Sequence, residues 1–178
     1  MGPPSSAVIG NAEISLSAMP TEADMAIHVV LVEPEIHWNT GNAGRTCLAA
    51  GAQLHLVGPL GFSLEDKEVR RAGLDYWPRV APRVWPDWAT FEAELPSLGT
   101  PYLFTTRAQR RFQDVTYARP AVLIFGRESV GLDEAILARH ADRTVAIPML
   151  DRELRSLNLS TSVALAAYEA RRQWGWPR

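Results

Sequence analysis

The chain has 178 residues, of which 47% are hydrophobic and 21% charged, and this composition fits one globular domain with a short extension. The net charge of −2 excludes a protein that is strongly basic throughout, so any contact with RNA must come from local patches. The single cysteine, Cys47, excludes an intramolecular disulfide, the apolar runs are too short to cross a bilayer, and no secretory signal is recognisable, so we expect a cytoplasmic protein.

The N-terminal half predicts an arm and then alternating strands and helices. Residues 1–25 are rich in Ser, Pro, Ala and Gly without a sustained period, which predicts a flexible arm before a domain over 26–178. The predicted elements are a strand over 27–33, a helix over 41–50 capped by Asn39 or Thr40, a strand over 54–57, a helix over 64–72, a strand over 79–84 and a helix over 87–95 stopped by Pro96.

The C-terminal half continues the alternation. We predict strands over 102–105, 121–125 and 144–147, and helices over 132–140 and 157–174. In the last helix, apolar residues at 159, 163, 166, 170 and 174 share one face. The alternation predicts an α/β fold with a mainly parallel sheet and helices on both faces.

Three runs of polar residues, each following a predicted strand, are the candidates for a site. They are 39–45 (NTGNAGR), 125–131 (FGRESVG) and 147–149 (IPM) leading to 155–160 (RSLNLS). Because the carboxyl ends of parallel strands meet at one edge of a sheet, we expect the three runs to form one ligand site.

The first run has two interpretations. Gly41 and Gly44 would let a ligand or another backbone approach the helix start, where Arg45 could reach back to bind a phosphate, and Trp38 could stack on a base. The alternative is a capped helix packed against the sheet, with Arg45 on a solvated face, which the frequency of such helix starts favours.

The second and third runs also leave alternatives open. Gly126 would leave space for a flat ligand at the end of a strand, or Glu128 could simply be a first-turn carboxylate stabilised by the following helix. No Walker or GxGxxG loop is present. The third run carries more polar groups than a helix cap needs, which favours a ligand site. These groups are Arg155, Ser156, Asn158 and Ser160.

Metal ligands and basic clusters give weaker signals. The four histidines and Cys47 have no metal-ligand spacing, so we expect no metal. Two basic clusters suggest contacts with phosphates, although charge runs are usually solvated surface. These clusters are Lys67, Arg70 and Arg71, and Arg107, Arg110 and Arg111.

In this order the motifs resemble the SPOUT superfamily of RNA methyltransferases, in its ribose 2′-O-methyltransferase branch. The small TrmL-type enzymes that methylate the wobble cytidine or uridine of tRNA are the most similar branch. The matching segments are 33–36 (EPEI), 39–42 (NTGN), Arg45, 65–67 (EDK), 70–76 (RRAGLDY), 125–126 (FG), Glu128, 131–132 (GL), 147–149 (IPM), 155–156 (RS), 158–160 (NLS) and 168–170 (YEA).

The resemblance implies a fold, a cofactor and a dimer that the residue patterns alone did not predict. It implies a deep C-terminal trefoil knot that holds S-adenosylmethionine, with S-adenosylhomocysteine as the product and no metal. It also implies a homodimer with the active site at the subunit interface, and tRNA as the substrate. By similarity, the cofactor-binding residues are Phe104, Gly126, Ile147 and Ser156.

The same resemblance implies the catalytic residues. Arg45 would assist deprotonation of the ribose 2′-hydroxyl or clamp an RNA phosphate, and its high pKa makes the clamp at least as plausible as the base. The residues that would orient Arg45, the ribose and the cofactor are Asn39, Glu128, Ser156 and Asn158. The chain departs from the usual pattern in three places: 150–158 is one residue longer, His37-Trp38 replaces a Pro-Pro pair, and Arg127 and Val130 differ from the common residues around Glu128.

Two other functions remain open at the level of sequence. One is 2′-O-methylation at another tRNA site or in ribosomal RNA, since the departures affect the target nucleotide more than the chemistry. The other is a non-catalytic RNA-binding protein that keeps the fold, which need not bind the cofactor. An enzyme of another nucleotide-binding class is disfavoured by the missing phosphate-loop motifs.

Overall fold

The computed structural model describes residues 26–64, 76–151 and 153–176. The predicted arm over 1–25 lies outside these residues, as does the predicted helix over 64–72 from residue 65 onward, together with Lys67, Arg70 and Arg71. No helix among the described residues is both long and apolar enough to cross a membrane.

The described residues form a parallel six-stranded sheet with the order β3-β2-β1-β5-β4-β6. The strands are β1 (Ile27–Val32), β2 (Ala52–Val57), β3 (Arg83–Trp85), β4 (Thr100–Phe104), β5 (Ala121–Phe125) and β6 (Thr144–Val145). All of β5 and nearly all of β1 are buried, as expected for central strands covered on both faces. The sequence-based prediction of a mainly parallel α/β sheet is confirmed.

Helices cover both faces of the sheet, again as predicted. They are α1 (His37–Ala50), α2 (Trp77–Val80), α3 (Trp88–Leu98), α4 (Glu134–Arg139) and α5 (Leu159–Trp174). On one face α1 and α5 pack around Val29, Leu31 and Leu123, and on the other α3 and α4 pack around Val30 and Ile124. Side chains alternate across a strand, so neighbouring residues of β1 serve the two cores.

Helix α1 begins earlier than the sequence suggests. The prediction that Asn39 or Thr40 caps it is wrong, because its N-cap residue is Ile36 and both polar residues lie inside the first turn. Ile36 makes no side-chain cap, since it has no acceptor. The groups that bind this helix start come from another part of the chain.

Further boundaries differ from the predictions, and the strands predicted over 54–57, 102–105 and 144–147 are observed over Ala52–Val57, Thr100–Phe104 and Thr144–Val145. The predicted strand over 79–84 is wrong in its first half, where α2 ends at Val80 and Ala81 takes a left-handed φ of 40° before β3 begins. Pro96 does not stop α3, which continues to Leu98. Proline already has a helical φ, so close to a C-terminus it forfeits only one backbone hydrogen bond.

The last two helices begin slightly later than predicted because of side-chain caps. Asp133 accepts a hydrogen bond from the backbone N–H of Ala135, so α4 starts at Glu134. Asn158 caps α5 in the same way, so that helix starts at Leu159. The cap of α5 also belongs to the candidate site.

Candidate active site

The carboxyl ends of β4 and β5 open into a cavity of about 440 Å³. That volume is within the usual range for small-molecule sites, and the position is where open parallel sheets bind ligands. Seven of the eight catalytic and cofactor-binding residues that the resemblance implies line it, and Arg45 does not. They are Asn39, Phe104, Gly126, Glu128, Ile147, Ser156 and Asn158.

A chain of side-chain hydrogen bonds joins the three polar runs. The side-chain amide of Asn39 donates to Glu128 Oε1 at 3.0 Å, and Asn39 Oδ1 accepts from the Asn158 amide at 2.8 Å. Asn39 is buried, and both its amide nitrogen and its amide oxygen take part in these hydrogen bonds. Runs separated by 89 and 119 residues therefore meet at one wall of the cavity, as the sequence predicted.

Asn158 fixes the start of α5 against the same wall. Its Oδ1 accepts from the backbone N–H groups of Ser160 and Thr161 and from the Ser160 hydroxyl, at 2.9, 3.3 and 2.7 Å. The amide oxygen thus caps α5 while the amide nitrogen reaches Asn39. A single residue consequently sets both the helix start and the hydrogen-bond chain.

Glu128 lies at the start of α1, not in the helix that follows it. Its carboxylate accepts from the backbone N–H of Glu35 at 2.8 Å and of Ile36 at 3.3 Å, in addition to Asn39. The interpretation of Glu128 as a first-turn carboxylate of the next helix is therefore wrong. A carboxylate of the protein itself therefore lies beside this helix start, and a phosphate contact there stays a prediction.

Two further contacts fasten the Glu128 turn to the segment after β1. Arg127 forms an ion pair with Glu33. Ser129 donates from its hydroxyl and its backbone N–H to Glu35, at 2.7 and 2.9 Å, and these bonds hold the pKa of Glu35 below its usual value. Sequence reasoning missed this clamp, for which the only signal was the pair of acidic residues around Pro34.

Two of the three glycines chosen for close approach, Gly126 and Gly44, serve packing inside the protein. A Cβ on Gly126 would lie 2.1 Å from the carbonyl carbon of Gly131 and 2.2 Å from the nitrogen of Leu132. The space that the sequence assigned to a flat ligand is thus filled by the protein's own turn. A Cβ on Gly44 would lie 2.9 Å from the Trp77 ring, so that glycine lets α2 approach α1.

Arg45 lies outside the cavity of this protomer. It is exposed, and its guanidinium carbon is 4.9 Å from the centre of the Tyr76 ring. Tyr76 in turn donates from its hydroxyl to the carbonyl of Gly41 at 3.2 Å. This geometry positions Arg45 on the solvent side of α1, and a catalytic role for it remains a prediction.

The remaining walls combine apolar rings with exposed polar groups. The rings of Phe104 and Phe125 stack with centroids 4.5 Å apart and planes 17° apart. Ser156 and Arg155 are exposed on the opposite loop, and Arg107 at the rim forms an ion pair with Glu134. The cavity therefore offers flat apolar surface together with hydroxyl, carboxylate and guanidinium groups.

A second buried network lies away from the cavity, between the first three strands. The indole N–H of Trp85 donates to His55 Nδ1 at 3.1 Å, so the His55 proton is on Nε2, which is 3.0 Å from His28 Nδ1. Burial, followed by nearby His28 and Arg83, lowers the pKa of His55 to about 3. No group of metal-ligating side chains is found among the described residues.

Comparison with known proteins gives consistent matches. The model of the SpoU rRNA Methylase family matches residues 26–168. A tRNA (cytidine(34)-2′-O)-methyltransferase of Burkholderia pseudomallei is 47% identical over 151 residues, which cover 84% of this chain and 96% of that protein. A solved structure, described as giving structural insights into the 2-OH methylation of C/U34 on tRNA, is 44% identical with a TM-score of 0.77, covering 83% of this chain and 90% of that one.

A more distant solved structure carries a cofactor. It is an AdoMet-bound rRNA methyltransferase from Sinorhizobium meliloti, 27% identical with a TM-score of 0.69. The alignment covers 88% of this chain and 59% of that one. The fold described above is therefore shared with proteins that differ in length and in RNA substrate.

Proposed function

The chain belongs to the SpoU rRNA methylase family, and from that premise we propose that it is an enzyme that transfers a methyl group from S-adenosylmethionine to a ribose 2′-hydroxyl of tRNA. The target is the wobble nucleotide, cytidine or uridine 34, as in the relatives that match most of the chain. The observation that carries the proposal is the cavity in which three distant runs are joined by the Glu128–Asn39–Asn158 hydrogen-bond chain.

The cavity residues fit S-adenosylmethionine. The stacked rings of Phe104 and Phe125, with Ile147, offer apolar surface for an adenine base, and the exposed Ser156 offers a hydroxyl for polar groups. The carboxylate of Glu128 adds negative charge to the wall, which suits a ligand with a sulfonium cation. When bound, the cofactor supplies a methyl group that its positive charge has already activated.

The protein contributes alignment more than acid–base chemistry. Three N–H donors occupy the Glu128 carboxylate, so we assign it a positioning role and not that of general base. Asn39 and Asn158 keep the two loops that face the substrate at a fixed spacing. Holding two reactants in line contributes up to about 7–11 kcal/mol in favourable cases, which suits a reaction whose donor is already activated.

The proposed role of Arg45 requires a second copy of the chain. In a homodimer with the site at the subunit interface, Arg45 of one protomer acts close to the cavity of its partner, on the 2′-hydroxyl or on an RNA phosphate. Exposed apolar side chains on and just after α5 support a dimer, because such patches mark interaction surfaces. These side chains are Leu165, Tyr168 and Trp176.

The chain path is compatible with the C-terminal knot. Strand β5 is inserted between β1 and β4, and the segment after β6 returns to the cavity before α5 packs against α1. In the trefoil knot that the family implies, residues 147–151 and 153–158 would contribute to the cofactor loop. Because the proposed substrate is tRNA, we propose a cytoplasmic location for the protein.

The proposal is tested with the purified full chain, labelled S-adenosylmethionine and tRNA transcripts. We expect incorporation of label into tRNA by the wild-type protein and loss of at least about tenfold in Asn158→Ala, which cuts the hydrogen-bond chain. Calorimetry with S-adenosylmethionine alone separates the alternatives. Binding without transfer to any RNA would overturn the proposed activity, and absence of binding would favour a non-catalytic RNA-binding protein.

A further inference from the structure

The segment after β4 concentrates positive charge that the proposed function does not use. Residues 105–114 hold three arginines and one aspartate, a local charge of +2 in a chain whose net charge is −2. Arg107, Arg110 and Arg111 are all exposed. Arg107 forms an ion pair with Glu134, whereas Arg110 and Arg111 form no ion pair within the part of the chain that the structure describes. Two guanidinium groups of this segment are therefore open to an anion from outside the protein.

The backbone of this segment is fixed to the edge of the sheet. We call residues 107–111 the arginine turn. The backbone N–H of Ala146 donates to the carbonyl of Arg110 at 2.8 Å, and the N–H of Phe112 donates to the carbonyl of Ala146 at 2.9 Å. Arg111 lies opposite Ala146 in a parallel bridge. Because the backbone is already held, a ligand of the turn would have to order only the two side chains.

The arginine turn begins and ends beside the cavity. Arg107 lines the cavity, and so does Ile147, which directly follows the bridging residue Ala146. Arg110 is three residues from Arg107, so at most about 11 Å of extended chain separates their α carbons. A polynucleotide strand with one ribose in the cavity would therefore carry neighbouring phosphates past the turn.

The arginine turn is separate from the helix surfaces assigned to the homodimer. The exposed side chains proposed for subunit contact, which include Arg45, Leu165 and Tyr168, lie on α1 and α5. The turn instead follows β4 and pairs with the residue after β6, the strand at one edge of the sheet. A dimer formed through the two helices thus leaves the turn available to another partner.

We propose that the arginine turn binds backbone phosphates of the tRNA strand whose ribose enters the cavity. Arginine presents a planar fork of donors that matches a phosphate, and such contacts position a nucleic acid without reading its sequence. The proposal rests on the proposed function, because it takes the cavity as the place of methyl transfer. It gives Arg110 and Arg111 a part in RNA affinity and none in cofactor binding, since neither lines the cavity.

The test measures how the affinity for RNA depends on salt. The dissociation constant of a fluorescein-labelled tRNA transcript is measured by anisotropy at several KCl concentrations. Each phosphate contact contributes about 0.7–0.9 to the slope of log affinity against log salt. The double variant Arg110→Gln/Arg111→Gln should therefore reduce that slope by about 1.5 and weaken binding in about 0.1 M salt by about 20- to 60-fold. The double variant Arg110→Lys/Arg111→Lys keeps both charges and should retain most of the slope.

Arg83→Gln is the matched control for the loss of charge. It removes an exposed guanidinium from β3, the strand at the opposite edge of the sheet. Because charges that lie farther apart than about 10 Å are largely screened at this salt concentration, we expect RNA affinity within about twofold of the wild type. A loss as large as that of the Arg110→Gln/Arg111→Gln variant would show that net charge governs affinity, and would overturn the proposal.

Kinetics and oligomeric state provide the remaining outcomes. In Arg110→Gln/Arg111→Gln we expect the KM for tRNA to rise while kcat and the affinity for S-adenosylmethionine stay within about twofold. An unchanged salt slope, or dissociation of the dimer in this variant, would overturn the phosphate contacts. If the wild type binds tRNA but methylates none, the proposed function fails, and the salt slopes still judge the arginine turn. Absence of any binding of tRNA by the wild type would overturn the turn's role as well.

Discussion

Two side-chain hydrogen-bond networks join distant segments of this protein, and their charge differs. Glu128, Asn39 and Asn158 link two loops and two helices beside a cavity, with one negative charge satisfied by N–H donors. His55 and His28, with Trp85, link three strands on the other side of β1, with weakly basic rings that burial keeps neutral. The first network lies at the wall of the cavity, and the second lies between three strands away from it.

From this comparison we expect substitutions beside the cavity to reduce stability and activity more than substitutions in the histidine network. Gly126→Ala should have the largest effect, because the new Cβ would overlap the backbone of Gly131 and Leu132. We expect a loss of more than about 3 kcal/mol in the free energy of unfolding, beyond ordinary overpacking, and loss of S-adenosylmethionine binding. Urea unfolding and calorimetry measure the two effects.

Gly131→Ala is the matched control for that substitution. A Cβ there meets no atom within 4 Å but is strained by the left-handed φ of 78°, so its cost should be about 1–2 kcal/mol. If Gly126→Ala proved no more costly than Gly131→Ala, the overlap that defines the turn would be refuted.

The second prediction concerns the polarity of the cavity network. Asn39→Asp places a carboxylate oxygen where an amide now donates to Glu128 at 3.0 Å. The two anions repel each other, so we expect a fall in methyl transfer of about 100-fold or more and a loss of about 2–3 kcal/mol in stability. Adding Glu128→Gln restores a donor facing the new carboxylate and should recover much of the stability, and a double variant no better than the single one would contradict the network.

The third prediction concerns the histidine network and the pH. Because the folded pKa of His55 is about 3 and the unfolded value is near 6.5, the unfolded state binds more protons between these values. Stability is therefore complete above about pH 6.5 and falls below it by up to about 1.4 kcal/mol per pH unit. His55→Gln should flatten this slope in denaturant titrations from pH 7 to 5, with methyl transfer at pH 7.5 changed much less than by Asn39→Asp.

The smallest effect is expected at the exposed clamp. Ser129→Ala removes the hydroxyl bond to Glu35 but leaves the backbone bond. Since solvent competes for both groups, we expect methyl transfer to fall by less than about threefold. A loss as large as that of Asn39→Asp would show that the clamp, and not the hydrogen bonds of Asn39, holds the cavity together.

Much of the fold followed from local patterns. The β-branched run of β5 and the four-three-four spacing of α5 were predicted within two residues of their observed bounds. The boundaries that failed depend on partners far along the chain. Helix α1 starts at His37 because a carboxylate 92 residues away binds the N–H of Ile36, and no local pattern encodes that contact.

The site was predictable in its members but not in its geometry. Motif resemblance identified Asn39, Glu128 and Asn158, and the structure brings them together. The sequence could not show that Glu128 accepts hydrogen bonds at the start of α1, or that the backbone of the 126–131 turn occupies the space beside Gly126. Both contacts depend on how loops fold back over the sheet. Arg45 was chosen by the same resemblance, and because it lies outside the cavity its role depends on the proposed homodimer.

The central claim is that the three joined runs form one site that methylates the ribose of the wobble nucleotide. The most direct measurement is mapping of the label in tRNA after reaction of the purified protein with methyl-labelled S-adenosylmethionine, by nuclease digestion and mass spectrometry. The account predicts a nuclease-resistant dinucleotide that carries one methyl group on the ribose of nucleotide 34, absent with Asn39→Asp. A methyl group on a base, or on the ribose of any other nucleotide, would contradict it.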